Sequence, residues 1–374
     1  MLKIGESGER GTGVGEVDSE GWEDYFEAVL TYRKGVLEAM AYYLYVTVAQ
    51  EDKISIFEMD GESGGLDKRG DFALAGGPGP MAVTADGRFI YVSRRSSRQL
   101  STLAVDAGSG ALSLLGTVEE ASDSVYVAVD RKDRFVLTSS NGGGRVAVYR
   151  IGDDGTVVAP AVEWVETAPG AHSIQTDPSN RFAYVPHITE SNAMHQFMFD
   201  EDTGKLTPNE PPRVVPSQML GPRHFCFHLS QDILYTSDEQ GSSVTSYGFD
   251  AQGRLTILQT VSTLAEDFDG ENYCAQIRLH PTGKFLYAPN RGHESIACFT
   301  VDSNSGELAM IGCVPTEAHT RGFNLDPQGK FLFAAGAESG KMAAYDIDQD
   351  SGELLPREVH ELGAAPMWIL IEEM

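Results

Sequence analysis

Basic residues are scarce in this chain: 28 Lys and Arg stand against 55 Asp and Glu, a formal charge of -27 at pH 7. A surface that binds nucleic-acid phosphates needs the opposite sign, so nucleic acid is not an expected partner, and an anionic membrane surface is disfavoured on the same ground. No apolar run of about 18 residues occurs, so no membrane-spanning helix is expected. The first twenty residues lack the apolar core of a signal peptide. Cysteine is rare as well. Cys226, Cys274, Cys298 and Cys313 form no CxxC pair, which excludes a disulfide scaffold and suits reduced thiols in a cytoplasm. His187, His195, His228, His280 and His293 show no HxH or HExxH spacing, and neither a metal nor any other cofactor is expected. The GTGVG run at 11–15 lacks both the spacing and the preceding strand of a dinucleotide fingerprint.

What the sequence has is repetition. An apolar strand, a turn of Asp/Pro/Gly type and an aromatic-rich strand recur, as in MAVTADGRFIYVS at 81–93, IRLHPTGKFLYAP at 277–289 and FNLDPQGKFLFAA at 323–335. The anchor that opens the second strand is Phe89, Phe135, Phe182, Ile233, Phe285 or Phe331, with spacings of 46 to 52 residues, and Tyr43 extends the series upstream. Each unit continues with an alternating strand such as VAVYRI or IACFTVD, then a glycine turn (SGGL, SGAL, TGKL, SGEL) and one more strand. Period-two alternation between such turns is the pattern of antiparallel strands. Four strands per repeat and seven anchors predict an all-β, seven-bladed β-propeller, because each small sheet must bury its faces against its neighbours.

The phase of the repeat also predicts how the ring closes. No inner strand precedes Tyr43, whereas GAAPMWILI near the chain's end resembles GGPGPMAVT at the start of the second copy. The strand at about 366–371 is therefore expected to pair into the first blade. Residues 41–374 form the propeller domain in this reading. Residues 1–40 are an extension, partly disordered, with an amphipathic helix expected over 22–39.

Equivalent offsets from the anchors locate a candidate site. Ten residues before the anchor the inner strand begins, and six residues after it the second strand ends; antiparallel pairing puts both at one mouth of the central channel. There the last four blades carry His172, Arg223, Glu239, Arg291 and Arg321, with His224, Asp238 and Asn290 adjacent. In so acidic a chain, three arginines and a histidine on one rim point to an anion site. Arg94 and Arg95 are read as an exposed loop pair, His224 as packing or orienting support, and the tyrosines at 91, 184, 235 and 287 as packing between blades.

The segments AHSIQTDPSNRFAYVP, GPRHFCFHLSQDILYTSDEQGSSV, YAPNRGHESIACF and TRGFNLDPQGKFLFAAG, with the closing PMW, resemble the seven-bladed propeller type of bacterial 6-phosphogluconolactonase, a family that includes the fungal carboxy-muconate cyclases. The resemblance spans roughly residues 41–371. It departs from the family in the N-terminal extension, after His187 and in the loop 263–273. It implies a carboxylic ester hydrolase that opens a sugar lactone, foremost 6-phosphogluconolactone of the pentose phosphate pathway, without a metal. The functional positions carried over are His172, Arg223, Glu239 and Arg291, with Arg321 and His224 nearby. A lactone needs an activated water and a stabilised oxyanion. His172 or Glu239 is then the base, His172 preferred; Arg223 and Arg291 stabilise charge; Arg321, His224 and Asn290 bind substrate. The expected partner is a small anionic metabolite, on a monomer or weak homo-oligomer. Two other readings stand beside it: a muconate-type cyclase or lactonase on a carboxylated lactone, and a non-catalytic propeller that binds a protein or metabolite.

Overall fold

A computed structural model describes residues 42–265 and 268–373. The extension and its expected helix over 22–39 lie outside the described residues. Seven antiparallel sheets follow one another along the chain. Blade one contains Tyr42–Val48, Lys53–Met59 and Leu66–Ala73; blade two runs from Pro78–Val83 to Leu112–Glu119, and blade three from Tyr126–Val129 to Val157–Glu166. Blade four reaches Leu206–Val214, blade five spans Pro222–Phe227 to Leu255–Ser262, blade six ends at Leu308–Pro315, and blade seven runs from Thr320–Leu325 to Leu354–Glu361.

Closure occurs as the repeat phase predicts. Pro366–Glu373 pairs antiparallel with Tyr42–Val48, with Ile369 opposite Val46 and Ile371 opposite Leu44, and so supplies the inner strand of blade one. Trp368, Ile369, Leu370 and Ile371 are buried in doing so. Closure gives blade one its fourth strand, so the ring's remaining sheet edges are short and protected rather than open to aggregation.

The repeat exists because each blade must lock onto the next. In every blade the glycine of the turn before the outer strand has φ between 64° and 81°, the left-handed region. That glycine lies against the anchor side chain of the preceding blade: Gly110 on Tyr43, Gly155 on Phe89, Gly204 on Phe135, Gly253 on Phe182, Gly306 on Ile233, Gly352 on Phe285 and, across the closing seam, Gly64 on Phe331. A Cβ at any of them would strike the anchor. In five of the seven blades a tyrosine two residues after the anchor donates its hydroxyl hydrogen to the same glycine's carbonyl, 3.0 Å for Tyr45 to Gly110, 2.8 Å for Tyr91 to Gly155 and 2.8 Å for Tyr235 to Gly306. Packing between blades is the expectation for Tyr91, Tyr184, Tyr235 and Tyr287, and the hydrogen bond adds to it. Full burial of each such side chain contributes about 1.5–3 kcal/mol.

The inner strands of blades four and six are interrupted. Blade four keeps only Gln175–Thr176, and blade six only Tyr273–Cys274 and Arg278–Leu279. Residues 171–174 and 275–277 thus approach the channel with irregular backbone, and this is where the site lies.

Candidate active site

A cavity of about 100 Å³ opens at the channel mouth, among Arg95, Asn141, His172, Arg223, His224 and Arg321, with Gln276, Trp368, Met367, Val125 and Pro80 completing its wall. Arg223 and Arg321 come from the starts of inner strands and His172 from the irregular segment before Gln175–Thr176, while Arg95 and Asn141 directly follow second strands. Antiparallel pairing brings the two kinds of position together.

The strongest contact is a buried Arg–Glu–Arg group. Arg223 Nε donates to Glu239 Oε2 at 2.6 Å, and Arg291 Nη2 lies 3.2 Å from the same oxygen. Burial works against the charge of Glu239, but the two guanidinium groups outweigh it and hold its pKa below the ordinary carboxylate value. Arg223 is pulled down to about 9 by burial and by Arg291, against the pull of Glu239, and stays charged at neutral pH. Arg291 is further fixed by the carbonyls of Cys274, 2.7 Å from Nη2, and Tyr273, 3.3 Å from Nε. It supports the site from behind the cavity wall.

His172 and His224 face each other, Nδ1 to Nε2 at 3.2 Å, with ring centroids 5.1 Å apart. Burial first, then the charge of Arg223, drives both imidazoles well below their ordinary pKa, so both are neutral at pH 7. Behind them Tyr126 and Trp368 close the channel: the Tyr126 ring meets His224 edge-on at 5.0 Å and Trp368 at 5.5 Å. His172 Nε2 makes no hydrogen bond among the described residues.

Four residues of this wall carry a buried polar atom without a protein partner: Arg95 Nε, Arg223 Nη1, His224 Nδ1 and Gln276 Nε2. Buried polar atoms are nearly always satisfied, so their concentration on one cavity marks a place for a polar ligand or water. Arg321 makes no ion pair or hydrogen bond among the described residues, and its pKa is lowered by burial and by the nearby charges of Arg291 and Arg95. Among the described residues no group of three or more His, Cys, Asp or Glu side chains could hold a metal ion.

The offset reasoning brought His172, Arg223, His224 and Arg321 to one cavity, with Glu239 and Arg291 directly behind. Two readings need correction. Asn290 is wholly buried and does not line the cavity; its amide oxygen accepts from Thr263 and Asn272 and its nitrogen donates to the Thr263 carbonyl and Ser295, so its capacity is spent fixing the loop 263–273. Asp238 is likewise internal, accepting from three hydroxyls with its pKa raised to about 6 by burial. Arg95 is the opposite case. It sits in the turn as expected, but is only partly exposed and forms part of the cavity wall, while Arg94 turns away to the Ala75 carbonyl. Gln276, Tyr126 and Trp368 were not singled out; the only signal for Trp368 was the closing PMW. His228 and His280 serve their turns through Nδ1, which accepts from backbone N–H groups.

Fold and site together define a closed seven-bladed propeller with a cationic pocket at one channel mouth. Residues 42–371 match the lactonase family described as "Lactonase, 7-bladed beta-propeller". The chain belongs to that family. It is 30% identical over 330 residues to a 6-phosphogluconolactonase of Serratia proteamaculans, covering 88% of this chain and 98% of the relative. A 6-phosphogluconolactonase of Cronobacter sakazakii is 31% identical over 293 residues, 78% of this chain and 87% of the relative. Among solved structures, the periplasmic gluconolactonase of Pseudomonas aeruginosa shares the fold at 22% identity with a TM-score of 0.82, covering 88% of this chain and 99% of that one.

Proposed function

We propose that this chain hydrolyses a sugar lactone carrying an anionic group, 6-phosphogluconolactone before others, to the open hydroxy acid. The observation that carries the reading is the set of unsatisfied polar atoms of Arg223, His224, Gln276 and Arg95 around one cavity, beside an unpaired Arg321 and a neutral histidine. The two relatives named 6-phosphogluconolactonase support the substrate.

His172 is the base in this reading. Glu239 is a poor one, because two arginines stabilise its anion and lower its proton affinity. A neutral His172 with a free Nε2 takes a proton from water as the oxygen attacks the lactone carbonyl. For Nε2 to accept, the ring hydrogen must sit on Nδ1 and be donated to His224. The imidazolium so formed is disfavoured by the surrounding arginines, but it forms together with an oxyanion that those arginines stabilise. Arg223 Nη1, buried and unpartnered, is the donor for that oxyanion. When the ring C–O bond breaks, the imidazolium returns its proton to the leaving alkoxide. Arg321 draws the substrate's anionic group. A cytoplasmic location belongs to this reading and is supported by four free thiols.

The test is a set of single variants assayed by acid release. His172→Gln and Arg223→Gln should each lower kcat/KM on 6-phosphogluconolactone by about 10²–10³-fold while keeping the wild-type far-UV circular dichroism. Wild-type turnover in both would remove the assignment.

A further inference from the structure

The inner cavity, about 100 Å³, is small for its proposed task. Small-molecule sites ordinarily occupy roughly 300–1,000 Å³. Beside it lies a second space of about 340 Å³, lined by Ala49, Gln50, Gly77, Ser96, Asp123 and Ala365 among others, over the seam where blade one meets blade two. Arg95 and Met367 line both spaces. The inner cavity reaches the size of an ordinary ligand site only when joined to this outer cleft, and Arg95 stands at their junction.

Arg95 is built into that position. Gly79 leaves room for it: a Cβ there would lie 3.1 Å from Arg95 Cδ, close enough that the side chain would have to shift by a few tenths of an ångström. Its Nη2 donates to Asp123 Oδ2 at 2.9 Å, which orients the guanidinium, while Nε is buried with no partner. Its charge reaches Arg321 across the inner cavity. A fork of this kind, held by one carboxylate and unsatisfied on another edge, suits a second oxyanion with two or three oxygens.

We propose that Arg95 is the specificity-determining residue that, with Arg321, takes the substrate's non-reacting phosphate, and that the outer cleft accommodates the arm bearing it. The inference rests on the lactonase reading. The lactone ring occupies the inner cavity against His172 and Arg223, and the arm places its phosphate at the junction, between Arg321 of the inner cavity and Arg95, which also borders the cleft. Arg95 binds without touching the reacting carbonyl, so it acts mainly on KM and on the choice between phosphorylated and unphosphorylated lactones.

The experiment compares wild type, Arg95→Gln and Arg95→Lys on 6-phosphogluconolactone and on gluconolactone, with calorimetric binding of the product 6-phosphogluconate alongside. A charge-assisted bidentate contact is worth about one to two powers of ten in binding. The ratio of kcat/KM for the phosphorylated over the unphosphorylated lactone should fall about 10–100-fold in Arg95→Gln, mostly through KM, and less in Arg95→Lys. Product binding should weaken by a similar factor. An unchanged ratio with unchanged product affinity overturns the inference. Should wild type turn over neither lactone, the proposed function fails, while calorimetry on the variants still decides whether Arg95 holds a phosphate.

Discussion

Replacing Glu239 by Gln removes one negative charge from between two buried guanidinium groups. Arg223 and Arg291 side chains are each 5% exposed, and Glu239 is 16% exposed. At an effective dielectric of about 20, a charge pair some 4 Å apart gains about 4 kcal/mol, and Glu239 makes two such pairs. The amide returns part of this as a neutral acceptor, and Arg291 retains its bonds to two backbone carbonyls. The net destabilisation should therefore be about 3–5 kcal/mol, the range for stripping the partner from a buried ion pair. Urea unfolding followed by tryptophan fluorescence reads it at pH 7. The pKa of Glu239 is lowered on folding, so its contribution is full above the unfolded value of about 4.3 and is lost as pH falls through the lower folded value. The gap between variant and wild type should thus narrow progressively as pH falls below about 4.3. Activity supplies a second reading, since a histidine base leaves an acid limb in the pH profile of Glu239→Gln that His172→Gln lacks. A loss under 1 kcal/mol, or a gap that does not narrow as pH falls below about 4, would refute the electrostatic account of this group.

Other predictions follow from buried titratable groups and from closure. His187 and His195, stacked in blade four with ring centroids 4.1 Å apart, are held down to about 3 and about 4 by burial, and His172 and His224 are depressed too. These histidines must stay neutral in the fold, so stability is full above pH 6.5 and declines below it by about 1.4 kcal/mol per pH unit for each; a urea midpoint constant from pH 7 to pH 5 would contradict this. Glu120, buried against Ser124 and Thr138, is raised to about 7 by burial. The fold therefore prefers its acid form, and stability falls as pH rises from about 4.3 to 7; Glu120→Gln should gain on the order of 3 kcal/mol at pH 8 and nothing at pH 4 in the same unfolding assay. Ile369 is buried in the closing strand, and Ile369→Ala should cost about 2–5 kcal/mol by thermal and urea unfolding if that strand completes blade one.

The parts of this molecule that were legible in the sequence are those governed by repetition. Anchor spacing carries blade number, because each anchor must meet a glycine turn one blade further on, and the missing inner strand before Tyr43 carries closure. Offsets from the anchors carry the rim, since equivalent positions in an antiparallel pair share an end. What escaped depends on contacts particular to one blade. Arg95 resembles its neighbour Arg94 in sequence, and its place at the cavity goes with a bond to Asp123 and the room left by Gly79, which no repeat offset marks. Asn290 occupies a rim offset beside Arg291, yet the non-repeating loop 263–273 folds Thr263 and Asn272 onto it and consumes its amide. Trp368 reaches the channel because the closing strand comes from the far end of the chain.

The most direct test of the account is a continuous acid-release assay on purified protein with 6-phosphogluconolactone, corrected for spontaneous opening, in wild type and in Arg321→Gln. Wild type should accelerate opening with saturation, and Arg321→Gln should raise KM by about tenfold or more, because the one unpaired cation of the described cavity has lost its charge. Opening no faster than in buffer, or an unaltered KM in the variant, would contradict it.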